Sequence, residues 1–375
     1  MISLFDRMTL STRPLAERVN KLDFERDRVD PEIYVPHLTP VAREDVIRAA
    51  AEIRKVRACG APAILAFGAH AIKNGLSPVM VRLMQGGWIT HFATNGAGVI
   101  HDWEFAFQGL SGEDVKRYVD EGQFGLWEET GAYLNLAIAV GAYQGLGYGE
   151  AVGAFVSSDG LFIPCGDELD AAISAGACGE ADEAALARAA AAADLKGLLI
   201  RLRARPGFMR VDHPYKASGL QAAAYAAGVP FTAHPMFGHD IIYTHPLNRG
   251  APIGRAADRD FLVFVNAVSH LEGGVYLSVG SAVMSPMIFE KALSMARNVA
   301  RQRGKAINDF SIYVVDLADS TWDWARDGEP PQDTPAYYLR FCKTFSRMGG
   351  RMTYTSADNR SFLVALLREL EHGSA

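Results

Sequence analysis

Two short turns combine glycine with a switch from apolar to polar residues: Thr94-Asn95-Gly96-Ala97-Gly98 and Ser278-Val279-Gly280-Ser281-Ala282. Each follows a run with strand character and precedes one with helix character. At such a junction the first helical amides lie free, and small residues let the backbone close on a phosphate or ribose. The first turn lacks the full GxGxxG spacing of a dinucleotide loop, so a ligand cradle and a tight structural turn both fit it. The second admits the same two readings, because a helix packed close to a strand also needs small residues at its start.

Three further groups carry titratable chemistry. His101-Asp102-Trp103-Glu104 is read as the opening of the helix that starts near Val99. It offers His101 as a general acid or base, with acids that a first helical turn favours in any case. The segment from His234 to His245 holds His234, His239, Asp240 and His245. Imidazole and carboxylate together suit zinc or iron, although the HExxH spacing is absent and histidines in a loop need no metal. Lys343 lies in Tyr337-Tyr338-Leu339-Arg340-Phe341-Cys342-Lys343, an aromatic amphipathic stretch. On composition it is a solvated surface lysine; desolvated beside aromatics, it gains the lowered pKa of an imine-forming amine.

The elements that must position these groups follow from periodicity. A helix is predicted from Ala42 through Arg57, and another from Ser77-Pro78, where serine caps and proline takes the first turn. Strands are predicted at Ala63 to Phe67, Trp88 to Ala93, Val229 to Ala233, Gly274 to Val279 and Ser311 to Val315, separated by helices. This pattern predicts an α/β fold: a doubly wound, mostly parallel, Rossmann-like sheet with helices on both faces. Residues 1–40, broken by four prolines, read as an N-terminal arm. Residues 41–375 then form a single α/β domain with a helical insertion around 141–204, including an Ala-rich helix over 181–204.

Composition narrows the partners. With 375 residues, 49% hydrophobic and 21% charged, the chain has enough apolar material for a large core. A net charge of −6 leaves no cationic excess for a phosphate backbone, which argues against nucleic acid as partner. The N-terminus has no continuous apolar run, and no segment reaches the ~18 apolar residues of a span, so no membrane and a cytoplasmic location are expected. Cys59, Cys165, Cys178 and Cys342 form no CxxC pair and read as buried thiols.

Read in order, His70 to Trp103, Ser278 to Pro286, Phe310 to Asp319, the helix to Lys343 and Tyr354 to Leu367 resemble the deoxyhypusine synthase family. The resemblance covers about two-thirds of the chain in matching order. It implies an NAD-dependent transferase acting on a small-molecule amine, such as a polyamine, and a homotetramer. Asn95, Gly96, Ala97, Gly98, Gly280, Ser281, Asp358 and Asn359 would then line the NAD pocket, with Lys343 as imine former and Asp240 holding a cationic amine. The chain departs from the family where Met284-Ser285-Pro286 replaces a basic histidine pair, and where Tyr337 and Phe341 replace an acid and a tryptophan. Two other readings stand beside it: a metal-dependent hydrolase or lyase using the 234–245 segment, and a non-catalytic ligand-binding homologue.

Overall fold

The computed structural model describes residues 2–373. Its chain divides into two compact units. Among the described residues, the first comprises residues 2–24, Val99–Tyr225 and Pro235–Asp260; the second comprises Glu25–Gly98, Ala226–His234 and residues 261–373.

The second unit carries a six-stranded sheet: β1 (Ala63–Phe67), β2 (His91–Thr94), β3 (Phe231–Ala233), β4 (Val275–Val279), β5 (Ser311–Asp316) and β6 (Arg351–Ser356). The strands lie in the order β3-β2-β1-β4-β5-β6, every neighbouring pair parallel. The α/β, doubly wound, Rossmann-like architecture expected from periodicity is therefore present. All five residues of β1 and all five of β4 are buried, as central strands covered on both faces require. Their apolar runs lack the alternation of a half-exposed strand for the same reason.

Local signals fix the helices around this sheet. Pro40–Cys59 starts on the Thr39 hydroxyl, which accepts the Ala42 amide at 3.1 Å, and stops at Gly60 in the left-handed region. Inside it, buried Asp45 accepts the Thr355 hydroxyl at 2.8 Å and ties the helix to β6. The apolar core of the unit is aromatic: Tyr276 of β4 stacks on Phe289 at 4.3 Å, and Phe264, Phe310 and Phe345 are buried around them.

Several element boundaries differ from the sequence reading, two of them for a local cause. The strand expected from Trp88 begins only at His91, because residues 86–90 turn and the Trp88 indole is covered by the Arg57 guanidinium at 4.5 Å. The helix expected from Val99 begins at Gly96, three residues earlier, because the Asn95 side chain caps it by accepting the Gly98 amide at 2.9 Å.

The first unit is largely helical: Glu128–Gln144, Tyr148–Ser157, Gly166–Gly176 and Glu183–Leu202, with two antiparallel strand pairs. One pair joins Asn20–Asp23, from the N-terminal segment, to Leu110–Glu113, and Leu15 and Phe24 of that segment are buried. A buried ion pair lies beneath: Arg18 donates to both oxygens of Glu104 at 2.7 and 2.8 Å. No helix among the described residues is long and apolar enough to cross a membrane. Of the cysteines only Cys342 is buried; Cys59, Cys165 and Cys178 lie exposed, at helix ends and in a loop, so the expectation of four buried thiols is corrected.

Gly98 illustrates why small residues recur at these junctions. A Cβ there would lie 2.3 Å from the Thr94 hydroxyl, which is itself bonded to the Phe67 carbonyl at 3.0 Å. Gly98→Ala is expected to destabilise the protein by about 1–3 kcal/mol through this overpacking. Gly197→Ala, in a helix with open space around the site, should instead stabilise it by roughly 0.5–1 kcal/mol. Denaturant midpoints of the two variants check the contrast; equal shifts would remove the packing explanation.

Candidate functional site

In a doubly wound sheet, ligands bind beyond the carboxyl ends of the strands where the strand order reverses. Here the reversal falls between β1 and β4. At that point the two chain turns come almost into contact. The Gly68 amide donates to the Val279 carbonyl at 3.2 Å, and a Cβ on Gly68 would lie 2.2 Å from the Gly280 carbonyl oxygen. No side chain fits there. Gly280 takes φ +58° and donates its amide to Val315 of β5 at 2.9 Å. That left-handed conformation favours glycine, and it turns the chain away from β4 towards the helix Met284–Gln302. Ser281 supports the helix start, its hydroxyl accepting the Ser285 amide at 3.2 Å.

The turn after β6 closes the same end of the sheet. Asp358 caps Asn359–His372 by accepting the Arg360 amide at 2.9 Å, and it pairs with the Arg360 guanidinium at 3.1 Å. Burial alone would raise its pKa; Arg360 and the helix amides outweigh this and hold it below the ordinary carboxylate value. Asn359 accepts from the Asn74 amide at 2.9 Å, and its own Nδ2 would lie 3.8 Å from a Cβ on Gly280. Gly280, Ser281, Asp358 and Asn359 thus share one end of the sheet with Gly68 and Asn74. The last two were not among the sequence candidates. Their signal was slight: Gly68 is one glycine closing a strand run, and Asn74 precedes another glycine.

Asn95, Gly96, Ala97 and Gly98 also follow a strand of this sheet. They do not form an open loop: Asn95 is the cap, and Gly96 to Gly98 are the first helical residues. Gly98 serves strand clearance, so a backbone cradle at this turn is limited to the amides of the helix start.

His101 and Asp240 belong to the first unit. His101 lies in the second turn of its helix rather than at the opening, with Nδ1 2.7 Å from the Ser111 hydroxyl. Asp102 and Glu104 are structural acids. Asp102 caps Leu220–Ala227, accepting the Leu220 and Gln221 amides at 3.0 and 2.9 Å, and Glu104 meets Arg18. Asp240 is buried, and its charge helps raise the pKa of Tyr148 and Tyr243, after the larger effect of burial on each.

The histidine-rich segment does not gather. Among the described residues no group of three or more His, Cys, Asp or Glu side chains is arranged to hold a metal. His234 points into the second unit's core, where the Thr232 hydroxyl lies 3.0 Å from its Nε2 and 3.0 Å from that of His91, with Phe264 edge-on to both rings. His245 packs against Gly131 in the first unit, with Nε2 3.6 Å from Glu128.

Lys343 sits on the short helix Arg340–Ser346. Its ammonium pairs with Glu329 and lies 4.2 Å from the centre of the Tyr337 ring. The Glu329 hydrogen bond, then Tyr337, raise its pKa, the opposite of the depression that a nucleophilic amine needs.

Fold and site together define the class: a doubly wound α/β protein whose glycine turns meet at the strand-order reversal. No family model matches the chain, and no curated protein sequence does. Among solved structures it is similar to the ternary complex of AgrE with ornithine and NAD+, at 12% identity over 90% of this chain and a TM-score of 0.42. It is similar also to ArgZ, an arginine dihydrolase from the ornithine–ammonia cycle in cyanobacteria (14%, 88%, 0.41). A third is a conserved putative LOR/SDH protein from Methanococcus maripaludis S2 (13%, 88%, 0.40). The chain spans about a third of the AgrE and ArgZ chains, 34% and 33%, and 67% of the Methanococcus chain. These matches, rather than deoxyhypusine synthases, correct the family resemblance drawn from motif order. Strand, glycine turn and helix recur in this order in any doubly wound sheet, so the order alone is not specific to one family. The transferase, polyamine and homotetramer implications lose their support with it.

Burial sets a pH dependence. His91 and His234 are both pushed down to about 3 by desolvation, and His234 further by His91. Below their ordinary value of 6.5 the unfolded chain takes up protons that these buried rings refuse. Stability from this source is full above pH 6.5 and is lost as pH falls towards about 3, by about 1.4 kcal/mol per pH unit for each ring. Denaturant titrations at about pH 7 and about pH 5 should show a smaller loss for His91→Gln/His234→Gln than for the parent. Equal losses would mean that these rings are not buried in the neutral form.

Proposed function

We propose that the crevice beyond β1 and β4 binds NAD, and that the protein is an enzyme using it to oxidise an amine-bearing small molecule. One observation carries the reading: the sheet reverses its order between two glycine turns so close that Gly68 has no room for a Cβ beside Gly280. A bare backbone edge at a switch point, with helices starting nearby, suits a dinucleotide's pyrophosphate. The GxGxxG fingerprint is absent from the first turn, which reads Gly68-Ala69-His70-Ala71, so Gly280 and Ser281 share the task that this fingerprint serves alone elsewhere.

In this reading Asn95, Gly96, Ala97 and Gly98 offer helix-start amides, and Asp358 and Asn359 border the far side. Bound NAD+ would accept hydride from the carbon bearing the amine. The protein's own part is to orient that carbon and attract the cation. Asp316, at the end of β5, and Asp319 just beyond it supply carboxylates next along the sheet from Gly280. Lys343, held by Glu329, enters as a fixed cation rather than as an imine former.

Thermal denaturation with millimolar NAD+ tests the cofactor. Ligand at 100 times Kd stabilises by about 2.7 kcal/mol. The midpoint should rise for the parent and not for Gly280→Val, whose side chain would stand at the left-handed position beside Asn359. No rise for the parent ends the reading. A rise without NADH formation across a panel of amines and amino acids would leave binding and remove the oxidation.

A further inference from the structure

A groove in the second unit runs between the helix Met284–Gln302 and the chain that leaves the short helix Arg340–Ser346. It encloses about 370 Å³, with Arg297, Arg301 and Arg347 on its walls and Leu293 and Met348 as apolar lining. Glu290 is the one acid beside them, and it pairs with Lys291. A second cavity of about 300 Å³ shares Arg347 and adds Arg340 and Lys343. This concentration of cations stands on a chain whose net charge is −6.

Two of the guanidinium groups are held in place by the protein. Arg297 donates from Nε to the Ile307 carbonyl at 2.9 Å and from Nη2 to Asn308 at 3.4 Å, and it lies over the Phe310 ring at 5.9 Å. Arg347 donates from Nε and Nη2 to Glu329 at 3.0 and 2.5 Å. Among the described residues, Nη1 of each has no hydrogen-bond acceptor, and Arg301 has neither a hydrogen bond nor a carboxylate partner. Burial, and then the charge of Arg301, lower the pKa of Arg297, with Glu272 opposing them. Arg301 lies one turn further along the same helix face, where like charges repel. An anion between the two removes that repulsion, and guanidinium forks match the oxygens of a phosphate. A solvated basic face requires no fixed side chains. Guanidinium groups fixed around one hollow are the pre-organisation that lowers the cost of binding an anion.

We propose that this groove is a second ligand site, taking a phosphate group on Arg297, Arg301 and Arg347, with the organic part of a phosphate monoester against Leu293 and Met348. It lies at the other end of the sheet from the glycine turns. Ile307 and Phe310 lead into β5, and Ser285 to Arg297 spans about 18 Å of helix at about 1.5 Å per residue. The site therefore stands whether or not the crevice beyond β1 and β4 takes NAD.

Calorimetric titration of the full-length protein at low ionic strength, with inorganic phosphate and with adenosine monophosphate, tests it. Saturable binding is expected, at least about 10-fold weaker in Arg297→Gln/Arg301→Gln. Arg205→Gln/Arg259→Gln, two exposed arginines of the first unit, makes the same change in net charge and should leave binding as in the parent. Gly280→Val should leave it too. Tighter binding of the monophosphate than of phosphate identifies an ester as the ligand, and equal binding identifies free phosphate; either supports the site. No saturable binding of either probe at millimolar concentration overturns the proposal. Equal weakening in the two arginine pairs overturns it as a general charge effect, and loss in Gly280→Val moves the site to the crevice. Should the double variant fail to fold, Arg301→Gln alone repeats the test on an exposed side chain and leaves the Ile307 bond intact.

Discussion

The approach of Gly68 to Gly280 is the constraint on which the sheet end depends. Two central strands, β1 and β4, are parallel neighbours although far apart in sequence. Each must send its chain to a different helix from nearly the same point, and the Gly68 amide bonds back to Val279 as it leaves. With 2.2 Å between a hypothetical Cβ and the Gly280 oxygen, only glycine satisfies the geometry. The outcome is an edge of backbone without side chains where the strand order reverses.

The rest of the second unit holds that edge in place. Asp45 and Thr355 lock the helix Pro40–Cys59 to β6, and Asn74 and Asn359 join two of the surrounding turns. The polar line from His91 through Thr232 to His234 is buried within β2 and β3, where each imidazole has the threonine hydroxyl as partner. A buried polar group of this kind favours one arrangement of strands at the cost of sensitivity to acid. The first unit spends its buried charge differently, on Arg18 and Glu104, where removing either partner would strand the other in a low-dielectric interior.

Much of this architecture was legible in the sequence. Five apolar runs, closed by glycine, threonine, histidine or aspartate, gave five of the six strands of the sheet, because a strand covered on both faces leaves its composition little freedom. The strand order was not legible, since it depends on pairings across hundreds of residues. Nor could the roles of the glycines be separated. Gly98 clears Thr94, Gly68 clears a neighbouring carbonyl, and Gly280 supplies a positive φ, yet all three read alike as small residues after a strand. The histidine density at 234–245 misled for a related reason: His234 follows a strand and is drawn into the core, whereas His245 follows a single turn of helix and packs on Gly131. For Lys343 the decisive neighbour was Glu329, fourteen residues earlier in a proline-bearing loop that no periodicity connects to it.

The bare edge between β1 and β4 is proposed as a dinucleotide seat. A crystal structure of the protein grown with NAD+ tests it most directly. The pyrophosphate is expected against the backbone of Gly68 and Gly280, with Asn359 alongside; a dinucleotide bound elsewhere on the chain, with this edge bare, would rule the seat out.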